Sequence, residues 1–291
     1  GLIGVAIFAL SLPMNRVAAQ VFDPVWVAMI RAAIATVLAA MVLLTMRCPV
    51  PPRAVWPQLA LAATCVVFGF PILTSMAMAG TTASVGAVVI ALLPLATVIA
   101  TTVLGQQRPS APFWVCAVLG AAVVVVFSVL RHKGSAPGLD DALLALAVIS
   151  GGFGYAWGGM AAARIGGWQT ICWTLIIAAP VSMPLAIGWA VLAPQPPAPL
   201  TAWLAVVYLA AGSQLIGFFF FYGGMAIGGV ARVSQVQLLQ LFITLAFSAA
   251  FLGEEVESGF WFTAVFVVLI VAAARLAPVR AAPVSATGIG D

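Results

Sequence analysis

The chain has 291 residues, of which 64% are hydrophobic and 6% charged, with a formal net charge of +4. A soluble domain carries roughly 25% charged residues, so a soluble globular protein is excluded, and the small positive balance gives no ground for a nucleic-acid partner. One histidine, His132, and four cysteines without CxxC spacing (Cys48, Cys65, Cys116 and Cys172) argue against a metal site.

Apolar runs long enough to cross a bilayer recur along the chain. The first is expected over Leu2–Gln20 and the second over Val25–Met46, with Asp23-Pro24 marking the turn between them. The opening run lacks a charged start and a small-residue cleavage site, so it is read as a spanning helix and not as a signal peptide. Prolines 49, 51 and 52 end the second run, because they cannot continue a helix. The third run covers Pro57–Ala79, the fourth ends near Leu104, and the fifth covers Phe113–Leu130. The most polar connector, Arg131–Asp141, follows. Further runs are expected over Ala142–Ala163, Trp168–Leu192, Leu200–Tyr222, Val230–Leu252 and Gly259–Leu276. The tail from 278 to 291 is small and polar and reads as disordered. Lipid offers no partner for free backbone groups, so the runs are helices.

Two stretches reveal an internal repeat. Leu104-Gly105-Gln106-Gln107 and Leu252-Gly253-Glu254-Glu255 each follow one apolar run, and each leads through a Ser and a Phe-Trp into the next. Residues 1–130 and 142–277 are therefore two five-helix units joined by 131–141. Five is an odd number, so the units insert with opposite topology, as in transporters that bind substrate near the midplane. The predicted fold is an all-α integral membrane protein of ten spans in a five-plus-five inverted repeat. Arg47, Arg53, Arg108, Arg164, Arg232, Arg275 and Arg280 fall on one side, which the positive-inside rule makes cytoplasmic together with both termini. Asp23, Asp140, Asp141, Glu254, Glu255 and Glu257 fall outside, where Glu254 and Glu255 are expected in water.

With these features the chain resembles the drug/metabolite transporter superfamily, EamA type. The likeness rests on the ten-helix duplicated layout, a Leu-Gly-Glu-like close to the fourth helix of each half, Pro24 and Arg31 opening the second helix, and Pro94 midway along the fourth. Gln106 departs from the pattern, standing where a Glu is common. Phe242 stands at the second-half equivalent of Pro94. The resemblance implies a multi-pass cell (inner) membrane protein that exports aromatic and other bulky neutral amino acids.

Candidate substrate contacts follow from polar and aromatic residues inside the spans. Gln237, Gln240, Thr244 and Ser248 share one helix face, by spacing of three, four and four. They either line a cavity or bridge helices by hydrogen bonds. Tyr155 and Trp157 lie mid-span beside Gly154 and Gly158, a spacing that also suits close helix packing. Tyr222, Gln214, Ser11 and Asn15 complete the set, with Ser213 beside Gln214. Pro13, Pro71 and Pro94 free backbone carbonyls and are hinge candidates. Arg31, inside a span, either pairs with Asp23 or with carbonyls, or binds a carboxylate.

Such a lining suits a neutral amphipathic solute, an amino acid, moved by alternating access. No acidic residue lies within a predicted span and no oxygen cluster suggests sodium, so gradient-driven movement is expected. The alternatives are a proton-coupled multidrug or metabolite exporter of the same superfamily, a channel, and, distantly, an intramembrane enzyme. An enzyme would need a nucleophile with its base, or a metal set. No cofactor, catalytic residue or metal is expected. The partners are the bilayer and a small solute, and internal duplication makes a monomer possible.

Overall fold

The computed structural model describes residues 1–131, 138–193, 196–255, 258–276 and 279–281. Most of the connector expected at 131–141, and the tail beyond 281, lie outside the described residues. Nine helices among the described residues are long and apolar enough to cross a membrane. They are span 1 (Leu2–Ala19), span 2 (Pro24–Thr45), span 3 (Arg53–Gly80), span 4 (Ala83–Val103), span 5 (Ala111–Leu130), span 6 (Leu139–Ile165), span 7 (Gly167–Leu192), span 8 (Leu200–Gly228) and span 9 (Arg232–Phe251). A tenth apolar helix, span 10, covers Ser258–Leu276.

Local chemistry sets the helix ends. Asp23 caps span 2: its carboxylate accepts hydrogen bonds from the Val25 and Trp26 amides at 2.9 Å each, and Pro24 fills the first turn. Both Leu-Gly stretches end a helix with glycine in the left-handed region, Gly105 at φ 70° and Gly253 at φ 62°. That is the helix-terminating role glycine fills without a Cβ penalty. After span 4, the Gln106 amide reaches back to the Thr101 carbonyl at 2.9 Å, a Schellman-type closure. After span 9, the Glu254 amide reaches the Ser248 carbonyl at 3.2 Å.

Several spans are broken, and prolines account for much of it. Span 1 is helical over Leu2–Ala9 and again over Ser11–Ala19. Pro13 has no N–H for the Ala9 carbonyl, and the Thr244 hydroxyl donates to that oxygen instead, at 2.6 Å. The Tyr208 hydroxyl donates to the nearby Ile7 carbonyl at 2.6 Å. Span 3 widens into a π-helix over Ala63–Gly69, where the Phe70 amide reaches the Cys65 carbonyl. The next residue, Pro71, has no amide to continue that pattern, so the Val66 carbonyl is left over. Gln214 Nε2 supplies its hydrogen bond at 3.0 Å. Span 4 is interrupted at Ala91 and Leu92, just before Pro94. Span 8 contains a second π-helix, Tyr208–Gly217.

The chain's two halves pack intimately. Span 2 lies on span 7, span 4 on span 9 and span 5 on span 10, while span 3 lies on span 6 and span 1 on span 8. In the tail, the described residues are 279–281. They form β2 (Val279–Ala281), antiparallel to β1 (Gln107–Pro109), with Arg108 opposite Arg280. The apolar strand pattern is too short to be seen in sequence; backbone pairing with the loop after span 4 creates it.

Candidate functional site

The breaks in spans 1, 3, 4 and 8 surround one enclosed cavity. Spans 1 and 2 contribute Phe8, Ser11, Leu12, Asn15 and Arg31; spans 3 and 4 contribute Val66, Phe70, Thr74, Ile90 and Leu93. Spans 6, 8 and 9 contribute Tyr155, Ser213, Gln214, Phe218 and Gln240. Its free volume is about 30 Å³, room for about one or two waters. In this conformer the core has no room for a larger solute. Wider hollows lie between spans 5 and 10 and beside Trp56 and Trp173. Residues such as Leu119, Val126 and Phe266 line the first of these and are exposed, so acyl chains would fill it.

A polar network joins the two halves across this cavity. Ser11 Oγ donates to Ser213 Oγ at 2.8 Å, and Arg31 Nη2 donates to the same oxygen at 3.3 Å. Arg31 is therefore held by Ser213, not by Asp23, whose carboxylate caps span 2. Asn15 is committed to span 3: its Nδ2 donates to Thr74 Oγ1 at 3.3 Å, and its Oδ1 accepts from Ser75 Oγ at 2.9 Å.

The sequence candidates divide by placement. Ser11, Asn15, Tyr155, Gln214 and Gln240 meet at the cavity. Gln237 stands behind Tyr155 and donates to its hydroxyl at 3.2 Å. Thr244 clamps span 1, as described above. Tyr222 is fully buried away from the cavity; its hydroxyl donates to the Gly154 carbonyl at 3.1 Å. A Cβ on Gly158 would collide with the Tyr222 ring, so the Gly154/Gly158 pair serves close packing here. Trp157 is half-buried and packs against Phe153, with ring centroids 5.4 Å apart and planes tilted by 36°, outside the cavity. Pro13, Pro71 and Pro94 all sit beside breaks that border it.

Some lining residues escaped the candidate set. Phe8 and Leu12 were missed, although they are spaced by four and flank the candidates Ser11 and Asn15 in span 1. Val66, Phe70 and Thr74 are spaced by four. Both stripes were readable, but apolar members in a membrane helix give no contrast with lipid-facing ones.

A second feature closes one end of the bundle. The Glu254 side chain, expected in water, is 6% exposed and forms a salt bridge with Arg16 Nε at 3.3 Å. Its carboxylate accepts from the Ala83 and Ser84 amides at 2.8 and 2.9 Å and from Ser84 Oγ at 2.6 Å. Those amides open span 4, where free N–H groups and the helix dipole favour an anion. Arg16 also donates to the Thr81 carbonyl. One carboxylate thus ties the end of span 9 to span 1 and to the start of span 4. Sequence alone placed Glu254 at a surface because its partners lie far away in the chain.

The EamA-like transporter family matches this chain over residues 1–129 and 139–276. The chain belongs to that family. This EamA-like protein is 38% identical over 280 residues to "Uncharacterized transporter YdeK" of Bacillus subtilis (strain 168), covering 94% of this chain and 95% of that protein. It also superposes on a solved crystal structure of a protein at 20% identity with a TM-score of 0.65, covering 94% of this chain and 97% of the other. At that identity the likeness shows the fold. The EamA-like chain is thus a multi-pass membrane transporter of the drug/metabolite superfamily, and its cavity lies where broken helices of both halves converge.

Proposed function

We propose that this EamA-like transporter exports amino acids, aromatic and other bulky neutral ones, by alternating access across the cell (inner) membrane, with both termini cytoplasmic. The observation that carries the reading is the composition of the cavity wall. Phe8, Phe70, Phe218 and Tyr155 offer faces to an apolar side chain, while Ser11, Gln214, Gln240 and Arg31 offer donors and acceptors to a polar head. A ligand site of this kind is mostly apolar with a few placed polar groups. No acidic side chain is among those lining it, which disfavours cationic drugs as cargo.

Helix pairing supports the inverted repeat. In the Leu-Gly frame, spans 2 and 7, 4 and 9, and 5 and 10 are equivalents, and each pair is in contact. Span 3 on span 6 has its counterpart in span 8 on span 1. The two Leu-Gly stretches lie at opposite ends of span 4, since Glu254 meets its first residues and Gln106 follows its last. Rocking of one half against the other, with flexing at the prolines beside the breaks, would open the core to alternate sides. Export down the cell's own amino acid gradient then needs no separate coupling ion.

The test is counterflow in liposomes holding the purified protein, across a panel of amino acids, cationic dyes and sugars. Saturable counterflow of phenylalanine or leucine is the expected result. Movement of dyes alone would replace the amino acid reading with multidrug export. Imposing a pH gradient at zero membrane potential should produce no concentrative uptake; accumulation that an ionophore abolishes would show proton coupling instead.

A further inference from the structure

Among the described residues, Arg31 has no ionic partner. It is 4% exposed and sits in the wall of the cavity, in the membrane-spanning part of span 2. A charged arginine inside a membrane helix is costly unless it is compensated, so its retention there needs a compensating interaction. The hydrogen bond found for it is the one from Nη2 to Ser213 Oγ at 3.3 Å, which is long for a charged donor. Its Nε is buried with no hydrogen-bond partner among the described residues. The carboxylate nearest in the chain, that of Asp23, caps the start of the same helix two turns away. Glu254, at the bundle end, is taken by Arg16.

A guanidinium presents five N–H donors in a planar fork that matches a carboxylate in bidentate fashion. Here Arg31 lines a cavity whose wall also holds Phe8, Phe70, Phe218 and Tyr155. The site therefore offers one fixed positive group, no negative one, and aromatic surface around it. Ser213, reached by both Ser11 and Arg31, holds the fork from the opposite half of the chain, so its position depends on how the halves sit together.

We propose that Arg31 is the specificity-determining residue of the cavity and receives the carboxylate of the transported solute. The cargo class is then a small organic carboxylate with an apolar or aromatic body, of which a neutral amino acid is one case. The inference rests on the transporter reading above and refines its site. Binding supplies the missing counter-charge to Arg31 and so couples cargo occupancy to the Ser11–Ser213–Arg31 contact between the halves.

The experiment uses the full chain in liposomes and four probes: phenylalanine, 3-phenylpropionate, phenylalaninamide and 2-phenylethylamine. The first two carry the carboxylate and the last two do not. In the wild type, both carboxylates should move faster than the amide and the amine. Hydrogen bonds to charged groups are worth about 1.5–3 kcal/mol, so Arg31→Gln should lower the acid-to-amide ratio roughly ten- to a hundredfold. Arg31→Lys should restore part of it. The ratio is internal to one preparation, so a loss of folded protein cannot mimic the change; thermal unfolding in detergent checks each variant besides. Transport of 3-phenylpropionate but not phenylalanine would uphold the carboxylate receptor and overturn the amino acid reading. Transport of phenylalanine with an acid-to-amide ratio that Arg31→Gln leaves as it was would overturn the receptor and keep the amino acid reading. Failure of the wild type to move either carboxylate would overturn the receptor.

Discussion

The two Leu-Gly stretches do the same thing with their backbones and different things with their side chains. Gly105 and Gly253 both turn into the left-handed region at φ 70° and 62°, and both end an apolar helix. Beyond the glycine they part. Gln106 is exposed, and the chain after it runs into β1, which pairs with the tail. Glu254 instead folds back into the bundle and caps the start of span 4 while pairing with Arg16. The repeated part of the motif is therefore a helix stop. The residue after the stop is free to differ, and in the second half it has become a latch across one end of the molecule. Glu255, its neighbour, stays exposed.

That contrast can be broken most severely at the latch. Glu254→Ala should leave the Ala83 and Ser84 amides and Arg16 without their acceptor and weaken closure of that end by roughly 2–3 kcal/mol. Gln106→Ala should do nothing comparable. The measurement is alkylation of a cysteine introduced at Ser11 by an impermeant reagent from outside the cell. Its rate should rise strongly with Glu254→Ala and remain at background with Gln106→Ala; equal effects would remove the latch.

The ionic part of the latch is a smaller share. Arg16→Ala and Glu254→Ala, combined in a double-mutant cycle of thermal unfolding in detergent, should show a coupling of about 1–2 kcal/mol. Additive losses would mean that the helix N-terminus alone holds the carboxylate.

Next come the glycines, where the two regions should behave alike. Gly105→Ala and Gly253→Ala each place a Cβ at positive φ and should each cost about 1 kcal/mol. A loss at only one of them would show that the backbone roles also differ.

The smallest effect is at the exposed position. Gln106→Glu, which installs the residue found at Glu254, should change stability by less than about 0.5 kcal/mol, because Gln106 is on the surface. In intact cells, cysteines at Gln106 and Glu255 should also differ: the proposed topology has an impermeant thiol reagent label Glu255→Cys and spare Gln106→Cys. The opposite labelling would invert the molecule.

Much of the site could be read from the chain, and the part that could not has a common cause. Ser11, Asn15, Tyr155, Gln214 and Gln240 stand out because polar or amphipathic groups inside lipid are costly without a use. Trp157, Tyr222 and Thr244, candidates on the same reasoning, do not line the cavity in this conformer. Each satisfies its surroundings by packing or by one hydrogen bond, and sequence spacing does not say which neighbour a side chain will find. Thr244 is instructive. Its partner is the Ala9 carbonyl, set free by Pro13, so two separate residues in opposite halves complete one broken turn. Gln214 and the Val66 carbonyl, set free by Pro71, do the same.

By itself, the order of residues determined the membrane environment, the approximate helices and the repeated stops, because each depends on composition and local backbone chemistry: apolar runs of bilayer length, prolines without an amide, glycines without a Cβ. Tertiary structure alone decided that the Glu254 side chain is enclosed, that Arg31 lacks an ionic partner among the described residues, and that the tail strand pairs with the loop after span 4. Those properties depend on contacts between residues such as Arg16 and Glu254 or Arg31 and Ser213. Burial and charge pairing are set by how the two halves pack, and neither half contains that information alone.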